Sequence, residues 1–338
     1  MSKRTGRKQP LLALVVVAVM ALAACRGTPA PEQETPRERL RVAFNTWIGY
    51  SSFYIAEEQG IFSRLGIEVE TQVIDALAEK NAALLRGDLD AIGGTIDSTI
   101  VSAASGVAGK VVFMFDRSNG TDGILVAEGV ENAEDLTEIQ VAVEEGFVGH
   151  FFLLYYLNQH GIAPSQVSIV PMTTDAAGAA FAAGQVDAAV TWEPYLSEAR
   201  SREGSRVLVS SADLEPILAD TLFVPDRVLD ERRADIELLV KALQEGNDFW
   251  IANPEEANRI VSARWQMPIE EVVAIMATDE LYSVDDQRAH FGSNDADGHL
   301  FGYLSKAATL WLEAGVVDTQ VAVAGLIDGF AVRSLPGY

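Results

Sequence analysis

Short apolar runs alternate with longer amphipathic segments along most of the chain, and this alternation sets the predicted elements. Apolar runs bounded by glycine or polar turns predict strands, and segments with apolar residues on one face predict helices. The predicted strands are residues 40–45, 67–74, 89–93, 110–115, 124–127, 139–143, 167–171, 186–191 and 219–224. The predicted helices between them are residues 53–59, 76–86, 97–105, 150–159 and 175–183, and a further helix is expected to begin at Pro194. Strands that alternate with helices predict an α/β protein with mostly parallel sheets.

One unit of this pattern occurs twice. Residues 87–97 (GDLDAIGGTID) and residues 184–195 (GQVDAAVTWEPY) each place a small-residue strand after a glycine. Each stretch ends in a polar loop and follows an alanine-rich helix, at residues 76–86 and 175–183. Two similar units predict two similar α/β lobes.

The ends of the two repeated strands predict the position of a ligand cleft. In open α/β sheets, the loops at the carboxyl ends of strands line the ligand crevice. We therefore expect Gly94 and Thr95 in the first copy to face Trp192 and Glu193 in the second copy across one cleft.

The C-terminal part of the chain has a different hydrophobic pattern. From residue 225 onward the segments are longer and amphipathic, and they predict helices at residues 232–252, 254–265, 268–278 and 297–314. This helical block is expected to pack back on the first lobe. Residues 40–121 and 223–338 are therefore predicted to form the first lobe and residues 122–222 the second, with a hinge strand at each of the two crossings.

The N-terminus has the pattern of a targeting segment. A basic start is followed by an apolar stretch at residues 11–24, which is too short to favour a membrane span. The stretch ends in Leu-Ala-Ala before Cys25, the only cysteine of the chain, and this resembles the bacterial lipoprotein signal. Residues 1–24 are thus predicted to be a signal peptide, and residues 25–39, rich in proline and polar side chains, a flexible tether. An ordinary secretory signal with a chance cysteine is the alternative.

Acylation of Cys25 would anchor the protein to a membrane in the cell envelope, either in the periplasm or on the outer face of the cytoplasmic membrane. The formal net charge of −24 would repel nucleic-acid phosphates, so no nucleic-acid partner is expected. The four histidines are widely spaced, and neither a nucleophile elbow nor a phosphate loop occurs. The sequence therefore predicts no metal, no cofactor and no enzymatic activity.

Several motifs in a fixed order resemble one known family. They are Trp47-Ile48-Gly49-Tyr50, the FYIAEEQGIF stretch at residues 53–62, the Gly87-x-x-Asp90-Ala91 pattern, and the GQVDAAVTWEPY stretch. Together with the lipoprotein-like leader, they resemble the nitrate, sulfonate, taurine and thiamine-precursor group of ABC-importer solute-binding proteins. The resemblance runs from about residue 40 to residue 253 and is weakest over residues 278–338.

The resemblance implies a periplasmic-binding-protein-like fold of type II, with two α/β lobes that close on a solute. It implies an ABC permease and its ATPase as partners, and a monomer as the simplest state. The residues expected to contact the solute are Trp47, Tyr50, Gly94, Thr95, Asp116, Asp122, Glu144, Phe147, Trp192 and Glu193.

Structural alternatives stay open for several of these residues. Trp47 could be a core residue, and Asp116 could cap its own turn. Trp192 could pack internally, with Glu193 in a hinge salt bridge.

The candidate loops are acidic, contain two tryptophans and carry almost no lysine or arginine. Carboxylates pair with cations, and indole rings add cation–π attraction. A small organic cation such as a guanidine, an amine or an aminopyrimidine is therefore the favoured ligand. Sulfonate, taurine or nitrate anions are the alternative, since helix N-termini and hydroxyl groups can bind them.

Two alternatives belong to other functional classes. A solute-sensing lipoprotein would have the same fold and the same cleft. An enzyme of the related fungal pyrimidine-precursor type needs a cysteine-rich motif, and this chain lacks one.

Overall fold

The computed structural model describes residues 38–338, and the predicted signal peptide, Cys25 and nearly all of the predicted tether lie outside this range. The strands are β1 Leu40–Phe44, β2 Val69–Val73, β3 Ala91–Thr95, β4 Gly109–Ser118, β5 Asp122–Val126, β6 Gln140–Val143, β7 Ser168–Pro171, β8 Ala188–Trp192, β9 Arg206–Ser210, β10 Ala219–Pro225 and β11 Asp279–Leu281.

The α-helices are α1 Ser52–Glu58, α2 Ile61–Leu65, α3 Leu77–Arg86, α4 Ile96–Ala104, α5 Val148–Gln159, α6 Thr174–Ala182, α7 Tyr195–Ala199, α8 Asp226–Ala252, α9 Pro254–Trp265, α10 Ile269–Met276, α11 Val284–Phe291 and α12 His299–Glu313. Most of the predicted elements are present with shifted ends. The strands β9 and β11 and the helices α2 and α11 were not predicted, because they are short or lack clear periodicity. No helix within residues 38–338 is both long and apolar enough to cross a membrane.

The strands form two sheets, one in each lobe. The first sheet has the order β11-β4-β10-β3-β1-β2, and the second has the order β7-β6-β8-β5-β9. Each sheet has three neighbouring parallel strands on one side, which are β1, β2 and β3 in the first sheet and β6, β7 and β8 in the second. This arrangement confirms the predicted α/β class with two lobes.

The strands at the crossings run antiparallel to their neighbours, and here the expectation of mostly parallel sheets is wrong. β10 pairs antiparallel with both β3 and β4, and β5 pairs antiparallel with both β8 and β9. A strand that arrives from the other lobe enters the sheet from the opposite side. Hydrophobic periodicity carries no information about strand direction, so the pattern could not show this.

Of the two predicted lobe boundaries, one lies between two strands of the structure and the other lies inside a strand. The boundary between residues 121 and 122 lies between β4 and β5. The boundary between residues 222 and 223 lies inside β10, which belongs wholly to the first sheet. An apolar strand pattern marks a strand but not the sheet that it joins, so the second crossing comes earlier than predicted.

The last long helix, α12, contacts both lobes rather than the first lobe alone. Trp311 is fully buried, and its ring centroid lies 5.7 Å from that of Phe151 in α5 of the second lobe. Its indole N–H donates to the carbonyl of Asp97 in α4 of the first lobe, at 3.1 Å. The helix α12 thus contacts both lobes, through α4 of the first and α5 of the second.

We expect Gly246→Ala to destabilise the protein by roughly 1–2 kcal/mol despite the better helix propensity of alanine. Gly246 is buried in α8, and a Cβ there would lie 2.7 Å from the backbone oxygen of Ser52 in α1. The matched control is Gly302→Ala in α12, where a Cβ would meet nothing within 4 Å. That change is expected to stabilise by about 0.5–1 kcal/mol. Chemical denaturation measures both, and equal effects at the two sites would contradict the packing described.

Candidate functional site

A cavity lies between the lobes, at the carboxyl ends of the parallel strands and beside both crossings. It is lined by Asn45, Thr46, Trp47, Leu77, Lys80, Gly94, Thr95, Ser98, Ser118, Thr121, Asp122, Phe147, Val148, Trp192, Leu218, Ala219, Asp220 and Asp279. The space open to the centre of a water-sized molecule is about 50 Å³. One water needs roughly 10–15 Å³ on this measure, so the cavity suits a solute of few heavy atoms.

Aromatic rings form the walls of the cavity on both lobes. Trp47 follows β1 in the first lobe, and Phe147 and Trp192 come from the second lobe. The ring centroids of Phe147 and Trp192 lie 5.8 Å apart. All three residues were among the predicted contacts, and the structure places all three at the cavity.

The ends of β3 supply small polar groups to the same cavity, as predicted for Gly94 and Thr95. A Cβ at Gly94 would lie 2.6 Å from the hydroxyl oxygen of Ser98. The absence of a side chain there lets the Ser98 hydroxyl approach the strand end. The carbonyl of Thr95 accepts a hydrogen bond from this hydroxyl at 2.8 Å.

Three aspartates line the cavity on the side of the crossings. Asp122 begins β5 and pairs with Trp192, Asp220 lies in β10 opposite Thr95, and Asp279 begins β11. Asp122 and Asp220 are 7% and 8% exposed, so both carboxyl groups are almost wholly removed from water. Of the three, only Asp122 was predicted.

Burial makes these carboxyl groups hard to ionise. Loss of hydration raises the pKa of Asp122 to about 7 and that of Asp220 to about 6. The pKa of Asp279 is well above its ordinary value, mainly because of burial and secondly because of the negative charges of Asp220 and Asp122. Without a ligand, Asp279 therefore keeps its proton near neutral pH and Asp122 keeps it in about half of the molecules, whereas Asp220 is mostly ionised.

Tyr50 and Asp116 were predicted to contact the ligand, but they lie behind the cavity lining. Tyr50 is fully buried, and its hydroxyl donates to Asp220. Asp116 is 1% exposed, and burial, followed by the charges of Asp279 and Asp220, raises its pKa well above the ordinary value. Both residues therefore act on the cavity through the aspartates in front of them.

Glu144 and Glu193 do not line the cavity either, because each binds the start of a helix. Glu144 accepts hydrogen bonds from the backbone N–H and the hydroxyl of Thr174, at 3.1 and 2.9 Å. Glu193 accepts from the backbone N–H and the hydroxyl of Ser197, at 3.1 and 2.9 Å. Free N–H groups in a first helical turn attract a nearby carboxylate, which explains both positions.

We expect Glu144→Ala to lower stability by about 0.5–2 kcal/mol, since the start of α6 loses its acceptor. Solute affinity should change by less than about twofold, because Glu144 does not line the cavity. Denaturation and calorimetric titration measure the two effects. Glu145→Ala is the control, since Glu145 is exposed, and it should leave both unchanged. A large loss of affinity in Glu144→Ala alone would restore Glu144 as a ligand contact.

Lys80 is the one basic residue among the cavity-lining residues named above. Its ammonium group donates to the carbonyl of Gly93 at 3.0 Å and to the Asn45 side-chain oxygen at 3.4 Å. Burial lowers the pKa of Lys80 to about 8. The sequence could have indicated that Lys80 is buried, because Lys80 lies on the same face of α3 as the apolar residues Leu77 and Leu84.

The sequence pattern gives less indication that Asp220 and Asp279 line the cavity. Asp220 lies within a mostly apolar strand, and Asp279 follows a predicted helix in the part of the chain where the family resemblance is weakest. Among residues 38–338, no group of histidine, cysteine, aspartate or glutamate side chains has an arrangement that could hold a metal ion.

Comparisons with known proteins give the same fold and one family. A protein-family model described as the NMT1-like family matches residues 33–265. A candidate binding protein of Brucella abortus (strain 2308) is 26% identical over 212 residues, which cover 62% of this chain and 66% of that protein. The taurine-binding periplasmic protein of Escherichia coli K12 is 29% identical over 206 residues, covering 60% and 63%. The chain thus matches just under two thirds of the length of these relatives.

Solved structures agree with the fold. The periplasmic aliphatic sulphonate-binding protein SsuA of Escherichia coli superposes with a TM-score of 0.72 at 20% identity, over 86% of this chain and 92% of that one. The alkanesulfonate-binding protein SsuA of Xanthomonas axonopodis pv. citri gives 0.70 at 18% identity, over 87% and 99%. The predicted periplasmic-binding-protein-like fold is confirmed.

Proposed function

Because the chain belongs to the NMT1-like family, we propose that it is the extracytoplasmic solute-binding component of an ABC importer. In this proposal the interlobe cavity captures a small solute, and the loaded protein delivers it to a permease with an ATPase partner. The periplasmic relatives and the two-lobed fold support this role. Anchoring through an acylated Cys25 and a monomeric state belong to the same proposal.

The favoured solute carries a positively charged nitrogen group. One observation carries this part of the proposal: two buried aspartates, Asp122 and Asp220, and the buried carboxyl oxygens of Asp279 face a single lysine among the residues that line the cavity. A buried carboxylate gains most from an ionised donor, and hydrogen bonds to charged groups contribute about 1.5–3 kcal/mol. The faces of Trp47 and Trp192 would add cation–π attraction of roughly 0.5–2 kcal/mol each. The glutamates that first suggested an acidic cleft contribute nothing here, since both bind helix starts.

Taurine or an aliphatic sulfonate is the second candidate. The Escherichia coli relative is a taurine-binding protein by name. In this chain, Lys80 and the first turn of α4, which follows Thr95, are groups that favour an anion. A simple sulfonate would then lie near three carboxyl groups, and only their protonation would make this tolerable. Taurine carries an ammonium group as well, so the carboxyl groups oppose it less.

A thermal-shift screen of the purified protein tests the proposal. The compounds are sorted by charge into guanidines, amines and aminopyrimidines, neutral amides, taurine, and simple sulfonates with nitrate. A ligand present at 100 times its Kd adds about 2.7 kcal/mol to stability, which is a readable shift. Shifts confined to cations would support the favoured solute. Shifts confined to sulfonates would replace it by the second candidate, and no shift with any small solute would contradict the binding role.

A further inference from the structure

The strand β11 brings one acidic residue to the cavity from outside the family-matched segment. The match ends at residue 265, and β11 begins at Asp279. β11 is the edge strand of the first sheet and pairs antiparallel with the end of β4, where Asp279 lies opposite Ser118. Asp279 is therefore a cavity residue that the family match does not account for.

The carboxyl group of Asp279 accepts no hydrogen bond of normal geometry within the described chain. Both of its oxygen atoms are buried, and only a weak contact with the backbone N–H of Glu280 acts on them. The indole N–H of Trp47, which also lines the cavity, is buried and lies near the carboxyl groups of Asp116 and Asp220, without a hydrogen bond of normal geometry to either. Buried polar atoms are nearly always satisfied in folded proteins. Buried atoms that lack such hydrogen bonds at a cavity wall indicate that a bound molecule supplies them.

The backbone around Asp279 holds this carboxyl group in place. The carbonyl of Thr278 accepts from the hydroxyl of Thr121 at 2.6 Å and from the backbone N–H of Asn119 at 2.9 Å. Both donors belong to the first crossing between the lobes. Asp279 is thus tied to the segment that joins the lobes, and its side chain stays at the cavity.

The next residue shows what an acidic residue on this strand does when its role is structural. Glu280 accepts hydrogen bonds from the guanidinium group of Arg117, one of them at 2.8 Å. Successive side chains point to opposite faces of a strand. Glu280 therefore pairs with Arg117 on one face, while Asp279 lines the cavity on the other.

We propose that Asp279 selects the solute by accepting hydrogen bonds from the N–H groups of an ammonium, amidinium or guanidinium ion. This inference rests on the cation-binding function proposed above. Asp122 and Asp220 supply further negative charge, and Trp47 and Trp192 supply the walls. A quaternary ammonium ion carries the same charge but has no N–H group, so it leaves both oxygens of Asp279 unsatisfied. Asp279 therefore separates N–H cations from their fully methylated counterparts.

Calorimetric titration of the purified protein with ethanolamine, guanidinium and choline tests this selection. Ethanolamine and choline share one skeleton and one charge, and they differ in three N–H groups against three N-methyl groups. We expect ethanolamine or guanidinium to bind at least tenfold more tightly than choline. Asp279→Asn should weaken binding of the N–H cations tenfold or more. Glu280→Gln, which removes the same charge from the adjacent residue, should change it less than twofold.

The outcomes separate the inference from the function on which it rests. Equal affinity for ethanolamine and choline, or unchanged affinity in Asp279→Asn, would overturn the role of Asp279 while a cation-binding protein stands. Binding of simple sulfonates with no binding of any of the three cations would overturn both. Asp279→Ser is a second variant if Asp279→Asn does not fold, as judged by thermal melting. The comparison between ethanolamine and choline on the unaltered protein needs no variant.

Discussion

Asp122→Asn should stabilise the ligand-free protein more at pH 8 than at pH 4. The free energy of unfolding of the variant, minus that of the unaltered protein, should rise by ~2–4 kcal/mol between these two pH values. The reason is the cost of ionising a buried carboxyl group. Burial raises the pKa of Asp122 from 3.8 to about 7, and each pKa unit corresponds to about 1.36 kcal/mol. Asparagine has a similar shape and does not ionise, so the variant is free of this cost at any pH.

The sign follows from proton binding in the two states. Because the pKa of Asp122 is raised on folding, the folded protein binds this proton more tightly than the unfolded chain does. The contribution of Asp122 to stability therefore falls as the pH rises from about 4 to about 7, and it stays low above that. Asp122→Asn lacks this fall. His150 and His290, whose pKa values burial lowers to about 4, affect both proteins alike and cancel in the difference.

Chemical denaturation of both proteins at pH 4, 6 and 8 measures this effect. Asp213→Asn is a control with the opposite sign, because hydrogen bonds from Ser210 lower the pKa of Asp213. Relative to the unaltered protein, that variant should be less stable at all three pH values, because the stabilisation from a lowered carboxyl pKa is lost only as the pH falls below about 4. A stability difference for Asp122→Asn that does not change with pH would show that Asp122 is not held in a protonated state by burial.

Lys80→Met should have opposite effects on the two candidate classes of solute. Lys80 lines the cavity and is 2% exposed, so its charge acts on a bound molecule with little screening. For a cation, the loss of a like charge should strengthen binding several-fold. For a sulfonate, the loss of the Lys80 ammonium group should weaken binding about 100-fold, since charged hydrogen bonds in buried sites contribute several kcal/mol.

Titration of Lys80→Met with the strongest cation and the strongest sulfonate of the screen reads out both effects. Lys241→Met removes the same charge from α8, away from the cavity lining, and should change neither affinity. Weaker cation binding in Lys80→Met, with the fold intact, would show that Lys80 positions the solute through Gly93 and Asn45 rather than opposing its charge.

The parts of the site that follow strand ends could be predicted from the sequence. Trp47, Phe147 and Trp192 each stand at or just beyond a strand end in an α/β pattern, and all three line the cavity. Gly94 and Thr95 were placed correctly by the repeat that they share with residues 184–195. In these cases chain order and strand topology determine the position, and no knowledge of side-chain orientation is needed.

The rest of the site depends on facts that the sequence does not contain. Asp220 reaches the cavity because β10 runs antiparallel between β3 and β4, a direction that periodicity does not reveal. Asp279 reaches it through β11, a three-residue strand too short for pattern recognition. Glu193 was expected at the ligand because it follows Trp192, but the start of α7 competes for its carboxylate and binds it. Proximity to Trp192 along the chain therefore identified the loop that reaches the cavity, but it gave Glu193 a ligand contact instead of its role at the start of α7.

Proton exchange on binding tests the central claim, that the solute is a cation held by buried carboxyl groups. The measurement is a titration of the tightest ligand at pH 7 in buffers that differ in ionisation enthalpy, which gives the number of protons released or taken up. A bound cation favours the ionised form of Asp122, Asp220 and Asp279, so net proton release is the predicted result. A bound anion favours the protonated carboxyl groups and the charged form of Lys80, so net proton uptake would contradict the account.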